Sequence, residues 1–215
     1  MQAQYIMKKI YLLFFLLSFF SLQLLAQSQP DAQSILDKMA SKIKSAKTVS
    51  TSFTLIQYDK TNQQIGSSKG LVKIKDKKYY LKEGTTEIFC DGSKSWNLSD
   101  NEVIVSNADD SEEDDITPQQ VLSGFNQKDF TAALLSSTGT NYDVSLAPVD
   151  KRKNFKQVVL SINKTTNLVS KAKVTDKTNS ITVINFSNIT LNTNIPDSQF
   201  TFDATKHAGV EIINQ

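Results

Sequence analysis

Gly70-Leu71-Val72-Lys73-Ile74-Lys75 opens a stretch that runs to Leu98 and is closed by Ile88-Phe89-Cys90-Asp91-Gly92-Ser93-Lys94-Ser95-Trp96. Its residues alternate. Val72 and Ile74 are set against Leu71, Lys73 and Lys75; Tyr79 and Leu81 against Tyr80 and Lys82; Ile88 and Cys90 against Glu87 and Phe89. Period-two alternation marks strands with one face covered and one face wet. The spacing predicts four short strands in a row, and Asp91-Gly92 predicts the tight turn of a hairpin, because Gly takes positive φ at no steric cost. Strands joined by such short turns are antiparallel neighbours.

The pattern extends in both directions. Upstream, Val49, Thr51, Phe53 and Leu55 alternate with Ser50, Ser52 and Thr54. Before them, Ile35, Leu36, Met39 and Ile43 recur at helical spacing between Asp31 and Lys47, with Lys38, Lys42 and Lys44 on the other side. This predicts an amphipathic helix packing its stripe onto the sheet. Two starts compete, a capping box at Ser34 with Asp37 and an N-cap at Asp31. Downstream, Val103 to Val105 continues the strands, and then Asp109 to Asp115 places six acids in seven residues. The run lacks the Asp-x-Asp-x-Asp-Gly spacing of a calcium loop and reads as solvated. Thr117-Pro118 reads as N-cap and first helical residue. Val121, Leu122, Phe125, Phe130, Leu134 and Leu135 predict a helix from Pro118 to about Leu135. Further strands follow around Tyr142–Leu146, Val158–Ile162, Leu168–Val174 and Thr182–Phe186, with Phe200 and Phe202 alternating last. The expected fold class is mainly β: a strongly curved sheet or unclosed antiparallel barrel, with an N-terminal helix and an inserted helix.

At the N-terminus, Lys8 and Lys9 precede an apolar run from Ile10 to Leu25, followed by Ala26-Gln27-Ser28. A basic start, an apolar middle and a small-residue exit describe a secretory signal peptide. Cleavage is expected after Ala26, leaving residues 27–215 as one domain outside the cytoplasm. Cys90 is the only Cys, so there is no intrachain disulfide and no Cys after the apolar run to carry a lipid.

Chemistry is sparse. Residues 27–215 hold 22 bases and 22 acids, with Arg152 the only Arg, so bulk charge gives no case for nucleic acid. His207 is the only His, and no His/Cys cluster can build a zinc site. There is no Gly-x-Ser-x-Gly elbow, Gly-x-Gly-x-x-Gly loop or phosphate-binding Gly-Lys loop. No catalytic residue, metal or cofactor is assigned. A sheet with an apolar face and so little chemistry describes a container better than an enzyme.

Four stretches together carry a resemblance. They are Val49-Ser50-Thr51-Ser52-Phe53-Thr54, Gly70 to Lys75, Ile88-x-x-Asp91-Gly92-x-x-x-Trp96, and Ile195-Pro196-Asp197-Ser198-Gln199-Phe200-Thr201-Phe202. In this order and spacing, from about Asp31 to Thr205, the chain resembles the LolA family of periplasmic lipoprotein carriers. The resemblance implies an unclosed barrel with helices across its open end and an apolar space between them that shelters acyl chains. It implies a monomer that makes and breaks no bond. Its partners would be acylated lipoproteins, an inner-membrane lipoprotein-releasing transporter and an outer-membrane acceptor. On that basis the lipid-cavity candidates are Phe53, Leu55, Val72, Ile74, Leu81, Ile88, Trp96 and Leu98 from the first half of the sheet. Leu160, Val174 and Ile184 come from the second half, and Val121, Leu122 and Phe125 from the lid. The family's better-known members carry an Arg after the second strand that latches the lid. Lys75-Asp76-Lys77-Lys78 stands there in this chain, and a meeting of these lysines with the acidic run is the expected substitute. The alternative reading is a lipid- or protein-sensing regulatory domain of the same fold in envelope-stress signalling.

Overall fold

In the computed structural model, residues 30–108, 116–125 and 127–214 are described. The signal-like run and the acidic run Asp109 to Asp115 lie outside them. Helix α1 (Ala32–Lys44) leads into β1 (Val49–Tyr58). Then come β2 (Gln64–Lys75), β3 (Lys78–Glu83), β4 (Thr86–Cys90), β5 (Lys94–Ser99) and β6 (Glu102–Asn107). A short helix α2 (Pro118–Ser123) and a 3-10 turn (Gln127–Asp129) precede β7 (Phe130–Ser136), β8 (Asn141–Pro148), β9 (Phe155–Asn163), β10 (Val169–Asp176) and β11 (Ile181–Leu191). Two more 3-10 turns, Asp197–Phe200 and Ala204–Lys206, lead to β12 (Glu211–Asn214). The strands form one sheet in the order β12-β6-β5-β4-β3-β2-β1-β11-β10-β9-β8-β7, unclosed between β7 and β12. The expected fold class is therefore observed. All neighbours are antiparallel except β12, which runs parallel to β6.

The two halves of the sheet meet where β1 pairs with β11, and there the ladder is bulged. Ser50 faces Thr190 and Ser52 faces Ser187, so Asn188 and Ile189 oppose Thr51 alone. Asn188 takes φ 55°, and the Thr51 hydroxyl donates to the Ser187 carbonyl at 2.7 Å. An extra residue in the left-handed region bends its strand and increases the local twist, which curls the sheet at its centre.

Local chemistry explains the helices. The Asp31 carboxylate accepts from the Ser34 amide at 2.6 Å, so Asp31 rather than Ser34 caps α1. Thr117 and Gln120 form a reciprocal capping box at α2, with Pro118 next to the cap. Three expectations need correction. The helix from Pro118 does not reach Leu135: it ends at Ser123, before Gly124 with φ 87°, and Phe130, Leu134 and Leu135 lie on β7. Along β7 half-buried and exposed residues alternate strictly, with Leu135 58% exposed. Phe200 and Phe202 are not on a strand; Phe200 ends a 3-10 turn. The hairpin turn is centred one residue later than expected. The Asp91 amide donates to the Lys94 carbonyl, and the Asp91 carboxylate accepts from the Ser93 and Lys94 amides, so Gly92-Ser93 is the connecting pair.

Candidate functional site

Register decides which side chains share a face. Val72 pairs with Leu81, and Leu81 with Ile88. Thr51 pairs with Val72, and Phe53 with Gly70 and Phe186. Leu55 pairs with Ile184, Ile184 with Ala172, Ala172 with Leu160 and Leu160 with Val144. The concave face is thus one apolar surface from β4 through β1 to β7. Helix α1 lays Ile35, Leu36, Met39 and Ile43 into it, and α2 adds Val121 and Leu122. The candidates Phe53, Val72, Ile74, Leu81, Leu160, Val174 and Ile184 lie in this one core with Val121 and Leu122. Leu55, Ile88 and Phe125 are partly buried against it.

Trp96 and Leu98 do not belong here. Ile88 pairs with Asn97, so Trp96 and Leu98 point to the convex face, where Phe89 pairs with Trp96 and Glu87 with Leu98. That face has its own small cores. Tyr80 and Phe89 pack with Ile195 and Phe200, and Leu98, Val103 and Val105 pack with Phe202 and Val210. The segment after β11 supplies this cover, and lysines of β2 and β3 pin it. Lys75 meets Asp197 at 2.8 Å, Lys78 meets the same carboxylate at 3.3 Å, and Lys73 donates to Gln199 at 2.9 Å. Lys75 and Lys78 therefore fasten the C-terminal segment. Hydrogen bonds from Lys75 first, then Lys78, hold the Asp197 carboxyl below its ordinary range. Beneath the segment, Tyr80 donates to Glu87 at 2.5 Å, and Lys82 bridges Glu87 at 2.7 Å. Burial and the Glu87 carboxylate push the Tyr80 phenol up.

The interior between sheet and helices is filled by the protein's own side chains. Phe53, Met39, Leu122, Leu160 and Ile184 are all at most 2% exposed. Between α1 and β7, beside Leu36, Met39, Phe130 and Ala132, a gap of about 20 Å³ has room for about one water. Two larger clefts open at its margins. One, of about 520 Å³, runs past α2 to β7–β9 and is lined by Ile116, Phe125, Phe130 and Phe155. Phe130 meets Phe125 edge-on at 5.2 Å and stacks on Phe155 at 6.1 Å. Its rim carries Lys128, Asp129, Asp150, Arg152 and Lys153. Arg152 donates to both Asp150 oxygens and holds that carboxyl far below its usual range. The second cleft, of about 350 Å³, lies at the C-terminal end of α1 between Ile43, Ala46, Val49 and Ile74, with Lys44, Asp76 and Lys77 at its rim.

Sequence reasoning missed Phe130 and Phe155 as members of the site. The signal was present in part, because Phe130, Ala132 and Leu134 alternate as well as they fit a helix. Among the described residues no group of His, Cys, Asp or Glu is placed to hold a metal, and no helix is long and apolar enough to cross a membrane.

A family model described as outer membrane lipoprotein carrier protein LolA matches residues 44–203. Among solved structures, an uncharacterized conserved protein from Thermus thermophilus is 11% identical with a TM-score of 0.57, covering 86% of this chain and 99% of that one. A LolA superfamily protein from Nitrosomonas europaea is 14% identical with a TM-score of 0.46, covering 82% and 100%. A putative outer membrane lipoprotein-sorting protein domain from Vibrio parahaemolyticus is 11% identical with a TM-score of 0.48, covering 79% and 95%. No curated protein matches. The family model spans most of the chain and includes both the bulged β1–β11 centre and the Asp197 segment, and on that match this chain belongs to the LolA family.

Proposed function

We propose that the protein is a periplasmic carrier that shelters lipoprotein acyl chains between its concave sheet and its helices, and moves lipoproteins from the inner to the outer membrane. The supporting observation is the continuous apolar concave face closed by two helices rather than by a second sheet, with clefts of apolar floor and charged rim at its margins. A buried CH₂ contributes about 0.8 kcal/mol, so an acyl chain of some sixteen carbons costs on the order of 12 kcal/mol to expose to water. A carrier has to cover that surface and still let go of it.

The space under the cover is occupied by the protein's own side chains. Met39, Val121 and Leu122 stand where a chain would lie, so loading shifts a population in which α1 and α2 lift from the sheet. The Phe125–Phe130–Phe155 slot is already open beside α2 and receives the first segment of chain. No bond is made or broken. A transporter in the inner membrane hands over the cargo, and an acceptor at the outer membrane takes it. Delipidated protein mixed with a fluorescent fatty acid tests this reading. The probe binds and is displaced by a triacylated lipoprotein but not by its unlipidated form. Equal displacement by both forms, or no probe binding, overturns it.

A further inference from the structure

The voids beside the concave core are not equally connected to it. The gap of about 20 Å³ between α1 and β7 is backed by Leu36, Met39 and Leu146, each at most 6% exposed. Among the described residues, it shares Gly124, Phe125 and Phe130 with the 520 Å³ cleft, and Ala40 alone with the 350 Å³ cleft. Phe125 and Phe130 therefore form the partition between the larger cleft and the gap. The two rings are held differently. Phe130 pairs with Pro148 in the β7–β8 ladder and stacks on Phe155, which is 4% exposed. Phe125 lies after the end of α2 at Ser123 and before the 3-10 turn that starts at Gln127, so no helical ladder includes it. It is half-buried and meets Phe130 edge-on. Its neighbour Gly124 has φ 87°, and a Cβ built there meets nothing nearer than the Ala40 Cβ at 3.7 Å.

We infer that Phe125 is a gate residue: its ring swings about Gly124, away from the fixed Phe130 ring, and opens a passage from the 520 Å³ cleft to the seam between α1 and β7, where the end of a single acyl chain enters the core. Hinges are residues at element ends that absorb a change in φ and ψ, and one edge-on aromatic contact is weak enough to break in such a motion. Entry is thereby assigned to the cleft beside α2 and not to the one at the C-terminal end of α1. As an aperture the gate stands on the geometry of the two voids; as the way in for a chain it rests on the carrier reading.

The experiment reads access and uptake separately. Leu146→Cys puts a thiol behind the partition, and Ile43→Cys puts one at the other end of α1, on the wall of the 350 Å³ cleft. Cys90 is buried, and the parent chain supplies its background. With an uncharged thiol reagent, adding Phe125→Ala should speed labelling of the Leu146→Cys variant by about fivefold or more, the scale of one lost aromatic contact, and that of the Ile43→Cys variant by less than about twofold. Leu36→Cys, across the gap on α1, gives the same reading should Leu146→Cys fail to fold. In stopped-flow mixing with a fluorescent fatty acid, Phe125→Ala should raise uptake and release rates together and leave affinity within about threefold, because a gate lowers the barrier in both directions. Equal acceleration in the two cysteine variants, no acceleration behind the partition, or faster release with unchanged uptake overturns the inference, the last because it makes Phe125 part of the wall. Gated labelling without fatty-acid uptake removes the carrier reading and leaves the aperture. Uptake at rates that ignore Phe125→Ala removes the gate and leaves the carrier reading.

Discussion

At Gly70 a hydrogen atom stands where any other residue would place a methyl group into the Phe53 ring. A Cβ built there falls 2.4 Å from the ring and 2.2 Å from the Lys82 carbonyl oxygen. Phe53 pairs directly with Gly70 across β1 and β2, and lies over it at 2% exposure. Gly70→Ala should therefore lower stability by about 1–3 kcal/mol, the usual penalty of overpacking a tight site. Gly66→Ala, on the same strand, meets only the flexible tip of Gln57 at 2.8 Å and should change stability by less than about 1 kcal/mol. Urea midpoints compare the two, and equal midpoints would show that both Phe53 and the Lys82 backbone can give way. The other turn positions follow a simpler rule. Among the described residues, the non-Gly residues with positive φ are all Asn or Asp: Asn62, Asp76, Asp100, Asn167, Asn179, Asn188 and Asn192. These side chains tolerate the left-handed region. The sequence marks such residues as turn formers, but it does not mark Asn188, whose bulge inside β11 looks like an ordinary strand position.

At the scale of elements, one reading failed because apolar spacing identifies a face without saying what covers it, and another because local helix preference yielded to strand pairing. Trp96 and Leu98 alternate as cleanly as Leu81 and Ile88, yet in β5 the buried side is the convex one, because Phe200 and Phe202 arrive there on an irregular segment. Phe130-Thr131-Ala132-Ala133-Leu134-Leu135 holds good helix formers, and pairing with β8 overrides that weak preference. The segment over the convex face makes a test available, since Trp96 is the only Trp and packs against the same two small cores as Phe202. The Asp197 carboxyl is depressed in the fold, so its contribution is present above the ordinary carboxylate value of about 4 and is lost as pH falls through its lower folded value. Trp96 emission should shift red as the segment loosens on acidification, and Asp197→Asn should show part of that shift already at pH 7. Identical emission from the variant and its parent at pH 7 would mean that the apolar contacts alone hold the segment. A second element can be locked. A Cβ at Gly124 falls 3.7 Å from the Ala40 Cβ, within the range that a disulfide spans. Ala40→Cys with Gly124→Cys, oxidised, should tie α1 to the end of α2 and suppress fatty-acid uptake until reduced; Gly124 sits at φ 87°, so the reduced double variant loses stability and is the reference for the oxidised one, and Cys90 is buried. Uptake unaffected by oxidation would show that chains enter without parting α1 from α2.

For the whole molecule, the open curved sheet was legible because most of the strands announce themselves by alternation and short turns, and the family followed from motifs scattered along its length. Whether the concavity is hollow was not legible, since a wall of Phe53, Val72 and Ile184 reads the same over a void as over a packed helix. The concavity is packed, and this reverses the usual expectation for mutations in a binding site. Met39 is 2% exposed on α1 and touches the concave core. Met39→Ala should cost about 2–5 kcal/mol of stability, through lost burial and the cavity left behind. For a protein whose interior is a core and nothing more, that cavity only weakens the fold. For a carrier, Met39 competes with the acyl chain for the same volume, so its removal lowers the work of loading. The variant should then melt earlier and yet bind fluorescent fatty acid more tightly than the parent. Leu146→Ala, buried on β8 in the wall rather than in the cover, should lose stability by a similar amount and lose affinity with it. Opposite signs of affinity change at equal loss of stability would distinguish a side chain that occupies the ligand's place from one that lines it. The same sign at both positions would remove the plug-and-wall division on which the loading step depends.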